Sequence, residues 1–191
     1  MAKKVFIIHG WEGTPESGWK PWLKKELEAR DFEVSVPAMP DTLHPKKDAW
    51  VGHLAQVVGT PDKDTYIVGH SLGCITTLRF LESLPENVQI GGVILVAGFA
   101  MNLPNPDFSE TYPFTNDPLA WDKIKSHCQK FVAIHSDNDP YVPIENGKLF
   151  EEKLGAEFII LPGMMHFAED EGIFKIPEVL TKLLEISKKN E

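Results

Sequence analysis

The chain has 191 residues, of which 42% are hydrophobic and 25% charged, an ordinary globular composition with enough length for one domain and one buried core. Its formal net charge of −9, with no basic block, argues against nucleic acid and against an anionic membrane as partners. Cys74 and Cys128 are too few for a disulfide framework, and only four apolar residues follow Met1-Ala2-Lys3-Lys4, which is no signal peptide. A single cytoplasmic domain over 1–191 is therefore expected.

Lys3 to Ile8 is a short β-branched and aromatic run that predicts a buried strand, broken by the turn residues His9-Gly10-Trp11-Glu12-Gly13-Thr14-Pro15. Trp19 to Arg30 carries apolar residues on one helix face, with Pro21 tolerable in the first turn. Glu33 to Val36 reads as a second strand, Ala38 to Pro45 as loop, and Asp48 to Val58 as a helix burying Trp50, Val51, Leu54 and Val58. A strand at Tyr66-Ile67-Val68 and a helix to about Leu84 follow, the helix stopped by Pro85. Gly91 to Ala97 is a continuous apolar run, as in a strand buried on both faces of a parallel sheet. The apolar stretch from Gly91 to Met101 is too short to span a bilayer. Gly98 to Asp117, rich in Pro, Asn and Phe, predicts a loop or small cap. Leu119 to Ser126 is a short helix, Lys130 to His135 a strand and Ile144 to Leu154 a helix. Glu157 to Leu161 is the last strand, and Glu178 to Lys188 an amphipathic helix. Six strands alternating with helices predict an open, mostly parallel α/β sheet with helices on both faces and its site at the carboxyl ends of the strands.

Gly69-His70-Ser71-Leu72-Gly73 lies between a predicted strand and a predicted helix. A serine in that setting sits on a sharp, strained turn, and residues two before and two after must be small enough for neighbouring backbone to approach. The turn also leaves the hydroxyl at a helix N-terminus, where free N–H groups favour developing negative charge. Past the other strands stand His9-Gly10-Trp11, then Asp137 and Asp139, and finally His166. A serine, a carboxylate and a histidine thus appear at one end of the sheet in the order Ser…Asp…His. Asp137 and Asp139 compete for the acid position. His9, His70, His135 and His166 also end strands or loops, but no closely spaced ligand pair accompanies them, so neither a metal nor another cofactor is expected. Gly13 to Lys20 has the glycine spacing of a P-loop without its Gly-Lys-Ser/Thr. Cys74 reads as a small buried hydrophobe.

These motifs, with Ser136-Asp137-Asn138-Asp139-Pro140-Tyr141-Val142-Pro143 and Gly163-Met164-Met165-His166-Phe167, resemble the α/β-hydrolases over nearly the whole chain. More closely they resemble the compact YdeN-like serine hydrolases, relatives of the retinoblastoma-binding serine hydrolases. The resemblance implies a minimal α/β-hydrolase of about six strands without a large lid. It implies Ser71 as nucleophile, His166 as base and Asp139 as acid, since the acid precedes a short turn into Val142-Pro143, with Asp137 left to cap that turn. The backbone N–H groups of Leu72 and Trp11 would form the oxyanion hole, and Gly10, His70, Phe99 and Met101 would meet the substrate. The expected activity is cleavage of small acyl esters through a covalent acyl-enzyme, with no cofactor. Amide or thioester hydrolysis would use the same residues. The alternative is a binding or scaffold protein, with a protein partner and an idle triad.

Overall fold

A computed structural model describes residues 2–188. The described residues form a sheet of six strands, all parallel: β1 (Lys4–Ile8), β2 (Glu33–Ser35), β3 (Thr65–His70), β4 (Gly92–Val96), β5 (Phe131–Ser136) and β6 (Glu157–Leu161). Their spatial order is β2-β1-β3-β4-β5-β6, so the chain reverses its direction of winding between β1 and β3. That switch opens a crevice at the carboxyl ends of these two strands, where ligands bind in such sheets. The helices are α1 (Lys20–Glu28), α2 (Lys47–Val58), α3 (Leu72–Ser83), α4 (Tyr112–Thr115), α5 (Trp121–His127), α6 (Glu145–Leu154) and α7 (Pro177–Ile186). None of them is long and apolar enough to cross a membrane.

The strands read as unbroken apolar runs because both faces are covered. In β1, Phe6 and Ile8 face a core shared with Trp50 and Leu54 of α2, Leu78 of α3 and Phe150 of α6. Val5 and Ile7 face the opposite core with Leu23 and Leu27 of α1 and Leu183 of α7. Each fully buried side chain of this size contributes roughly 1.5–3 kcal/mol, so two apolar layers hold the sheet far more firmly than helix propensity could.

Element boundaries differ from the sequence reading by a few residues. Trp19 is not the first helical residue of α1 but its cap, held fully buried by the core. The helix expected from Leu119 begins at Trp121, and Leu119 is itself buried. The Gly98–Asp117 stretch is a small cap: a 3₁₀ turn (Pro106–Thr111) runs into α4. Arg79 of α3 pins that cap. Its guanidinium donates to the carbonyl of Phe114 at 2.9 Å and to that of Asp117, and pairs with Glu82 at 2.7 Å. Glu82 in turn accepts the Ala120 N–H at 2.7 Å. Lys47, the first residue of α2, is tied to the cap by an ion pair with Asp117 at 3.0 Å. Replacing Arg79 with Ala leaves the buried Phe114 carbonyl without its donor and is expected to lower stability by about 1.5–3 kcal/mol in urea unfolding, the range for a lost charged hydrogen-bond group.

Candidate active site

The turn after β3 shows why its sequence is glycine, any residue, serine, any residue, glycine. Ser71 has φ 52° and ψ −118°, a conformation that costs a non-glycine residue on the order of 1–3 kcal/mol. The surroundings enforce it: Ser71 N–H donates to Val96 O at 2.9 Å, and Ser71 O accepts from Cys74 N–H at 2.9 Å. A Cβ on Gly73 would lie 2.4 Å from Ile8 O and 2.8 Å from His9 O, and one on Gly69 would lie 2.9 Å from the backbone of Cys74. Only hydrogen fits at either position. The end of β1 therefore touches the first turn of α3, and Gly10 is carried to Ser71, where a Cβ would lie 3.0 Å from the serine Cβ.

Ser71, Asp139 and His166 come together. His166 Nδ1 donates to Asp139 Oδ2 at 2.9 Å, which leaves Nε2 unprotonated to accept the Ser71 hydroxyl at 3.0 Å. The Asp139 side chain is 1% exposed and that of His166 12%. The other Asp139 oxygen accepts the N–H groups of Tyr141 and Val142 at 2.9 and 3.0 Å, so the buried carboxylate is fully partnered. Asp137 lies apart from the imidazole and accepts Gly163 N–H at 2.8 Å.

That last bond belongs to a clamp on the loop between β6 and α7. Ser136, Asp137 and Asn138, which end β5 and begin its loop, accept the N–H groups of Met164, Gly163 and Met165 at 2.9, 2.8 and 2.9 Å respectively. Glu171 then takes both His166 N–H at 2.8 Å and Ala168 N–H at 2.9 Å on one oxygen. Sequence reasoning missed Glu171. The only signal for it was a carboxylate five residues past the histidine, in a loop of unknown shape. His70 Nε2 donates to the His166 carbonyl at 2.8 Å, with its ring edge-on to Trp19, and burial holds it neutral, well below the ordinary histidine pKa. His9 is turned inward, with Nδ1 donating to Gly10 O at 2.8 Å and Nε2 accepting Met39 N–H at 3.0 Å. His135 is buried between Phe150 and Phe158, and burial pushes its pKa down to about 4.

A cavity of about 650 Å³ opens over the serine, with Gly10, Trp11, His70, Leu72, Phe99 and Phe108 in its wall. Trp11 N–H and Leu72 N–H find no acceptor among the described residues, and Leu72 is the first residue of α3, whose N–H has no partner within the helix. Met101 does not join them. It is 41% exposed and off the cavity wall, because the chain turns outward after the buried Phe99. Phe114 is core against Trp50. Cys74 packs beneath the elbow with Sγ 3.4 Å from Val96 O, and burial pushes its thiol pKa far up. No group of three or more His, Cys, Asp or Glu side chains among the described residues could hold a metal ion.

The family described as serine hydrolase matches residues 5–185. The YdeN hydrolase of Bacillus subtilis is 37% identical over 179 residues, 94% of this chain and 93% of that protein. The crystal structure of the B. subtilis ydeN gene product superposes with a TM-score of 0.93 at 35% identity, covering 98% of this chain and 100% of that one. The serine hydrolase RBBP9 of Rattus norvegicus is 27% identical over 88% of this chain and 89% of its own length. A structure from a study of Nitrososphaera gargenis carboxylesterases shares the fold, with a TM-score of 0.69 at 15% identity and coverage of 97% and 91%.

Because one Glu171 oxygen holds two N–H groups of the histidine loop, Glu171→Ala is expected to speed amide exchange at His166 and Ala168 by about tenfold or more while β3 and β4 keep their protection. Unchanged exchange at both residues would show that the carboxylate does not order this loop.

Proposed function

The chain belongs to the serine hydrolase family, and on that premise we propose that it cleaves small acyl esters by a Ser71-His166-Asp139 triad through a covalent acyl-enzyme. The observation that carries the reading is the hydrogen-bonded relay from Asp139 through His166 to a strained serine at the floor of the cavity. In this mechanism Ser71 Oγ attacks the ester carbonyl as His166 Nε2 takes its proton. Asp139 holds the imidazole in the tautomer that leaves Nε2 free and stabilises the imidazolium that forms. The tetrahedral oxyanion is met by Leu72 N–H, helped by the α3 N-terminus, and by Trp11 N–H. His166 then gives its proton to the departing alcohol, and water, deprotonated by the same nitrogen, releases the acid.

The acidic net charge supports a small acyl substrate rather than nucleic acid, and two buried free cysteines suit a reducing cytoplasm. Ester chemistry is also what the N. gargenis study describes for its carboxylesterases. A scaffold that kept only the fold would gain on the order of 1–3 kcal/mol by relaxing the serine backbone, which weighs against an idle site.

A fluorophosphonate probe is expected to label the protein once, at Ser71, and to leave Ser71→Ala and His166→Ala unlabelled. A folded protein that resists the probe and turns over no short 4-nitrophenyl ester ends this reading. Gly10→Ala places a Cβ 3.0 Å from Ser71 Cβ and 3.3 Å from His70 O, displacing the Gly10-Trp11 turn. Its kcat on 4-nitrophenyl butyrate should fall by about 10²–10³, the usual loss for one oxyanion donor.

A further inference from the structure

Lys20, the first residue of α1, has no assigned role, yet it is 4% exposed. Its ammonium donates to the carbonyl of Ser17 at 2.9 Å and to the Ser17 hydroxyl at 3.3 Å, and lies 5.5 Å from the centroid of the Trp19 ring. An ammonium carries three N–H donors, so one remains. Among the described residues Lys20 forms no ion pair, although buried lysines ordinarily have one. Glu169 is the carboxylate that acts on it, but its Oε2 is engaged by Gly18 N–H at 2.9 Å. Lys20 lines the same cavity as Ser71 and His166, and no other lysine or arginine among the described residues does.

We propose that Lys20 is an anion-recognition point of this cavity and that the preferred substrates are short acyl esters whose acyl chain ends in a carboxylate. This inference rests on the esterase reading and sharpens it. Removing an ammonium from water without a counter-ion in direct contact is costly, and a substrate carboxylate in contact with the free donor would supply both the charge and the third hydrogen bond. Glu12, Asp107, Glu169 and Asp170 also line the cavity. They disfavour an anion elsewhere on the wall, so they confine it to Lys20, where direct contact outweighs more distant repulsion. Burial pushes the Lys20 ammonium down to about 8, against the opposing charge of Glu169. The other titratable groups near it are His9, after β1, and His70, at the end of β3. Burial holds both imidazoles below their ordinary pKa.

The test compares 4-nitrophenyl hemiglutarate with 4-nitrophenyl butyrate on the wild type, on Lys20→Gln, which keeps donors for Ser17 without the charge, and on Lys20→Arg. The ratio of kcat/KM for the anionic ester to that for the neutral one should fall about tenfold or more in the Gln variant, mainly through KM, and recover in the Arg variant. In the wild type that ratio should fall as pH rises through about 8, a readout that survives even if the variants fold poorly. Equal ratios in wild type and Lys20→Gln would overturn the role of Lys20 and leave the esterase standing. Should neither ester turn over, calorimetry with monomethyl glutarate on Ser71→Ala decides separately. Binding lost on adding Lys20→Gln upholds the anion site, and binding absent or unaltered overturns it.

Discussion

The site rests on one steric constraint, the near-contact of Gly73 with the carbonyls of Ile8 and His9. Strands β1 and β3 are adjacent, with Ile8 opposite Gly69, so the two chains leave the sheet side by side. Any side chain at position 73 would push α3 away from β1. With glycine there, the helix starts directly against the β1 turn. The strained serine, the free N–H of Leu72 and the Gly10-Trp11 turn then lie within a few ångströms of one another. The geometry is set by backbone packing against backbone, which is stiffer than any arrangement of flexible side chains.

The histidine needs a different kind of support, because it stands on a loop. A loop of this sort loses roughly 1–2 kcal/mol of entropy per residue when ordered, and no strand ladder compensates it. Side-chain acceptors do so instead: Ser136, Asp137 and Asn138 from β5 and its loop, with Glu171 from within. The residues just before Asp139 therefore position its partner. Asp139 and His166 are registered to each other by the segments that carry them, and His70 locks the same histidine through its carbonyl.

Much of this was legible in the sequence. Strand cores were readable because both-face burial leaves unbroken apolar runs, as in Gly92–Val96. The turn at Ser71 was readable because its glycines answer a steric demand that no other residue meets, and His166 because it follows the last strand, whereas Asp137 and Asp139 follow the same strand and only the resemblance favoured Asp139. The contributions of Arg79, Glu171 and Lys20 were not, since each depends on partners that only the folded chain supplies. Arg79 looks like an ordinary helix-surface residue until the cap closes on it. Met101 misled because nearness in sequence to the buried Phe99 says nothing about which way the chain turns next. The cap was left open between loop and small structure, for its 3₁₀ turn and one-turn helix have no periodicity to detect.

The 95-residue separation between the serine and the histidine it contacts also bears on biosynthesis. The elbow can form once β1, β3 and β4 have met, but the imidazole arrives only after β5 and β6 have been added. A partly made chain emerging from the ribosome would present the Ser71 turn without the imidazole that hydrogen-bonds its hydroxyl. The Ser71–His166 hydrogen bond is thereby withheld until the sheet is closed by its final strand.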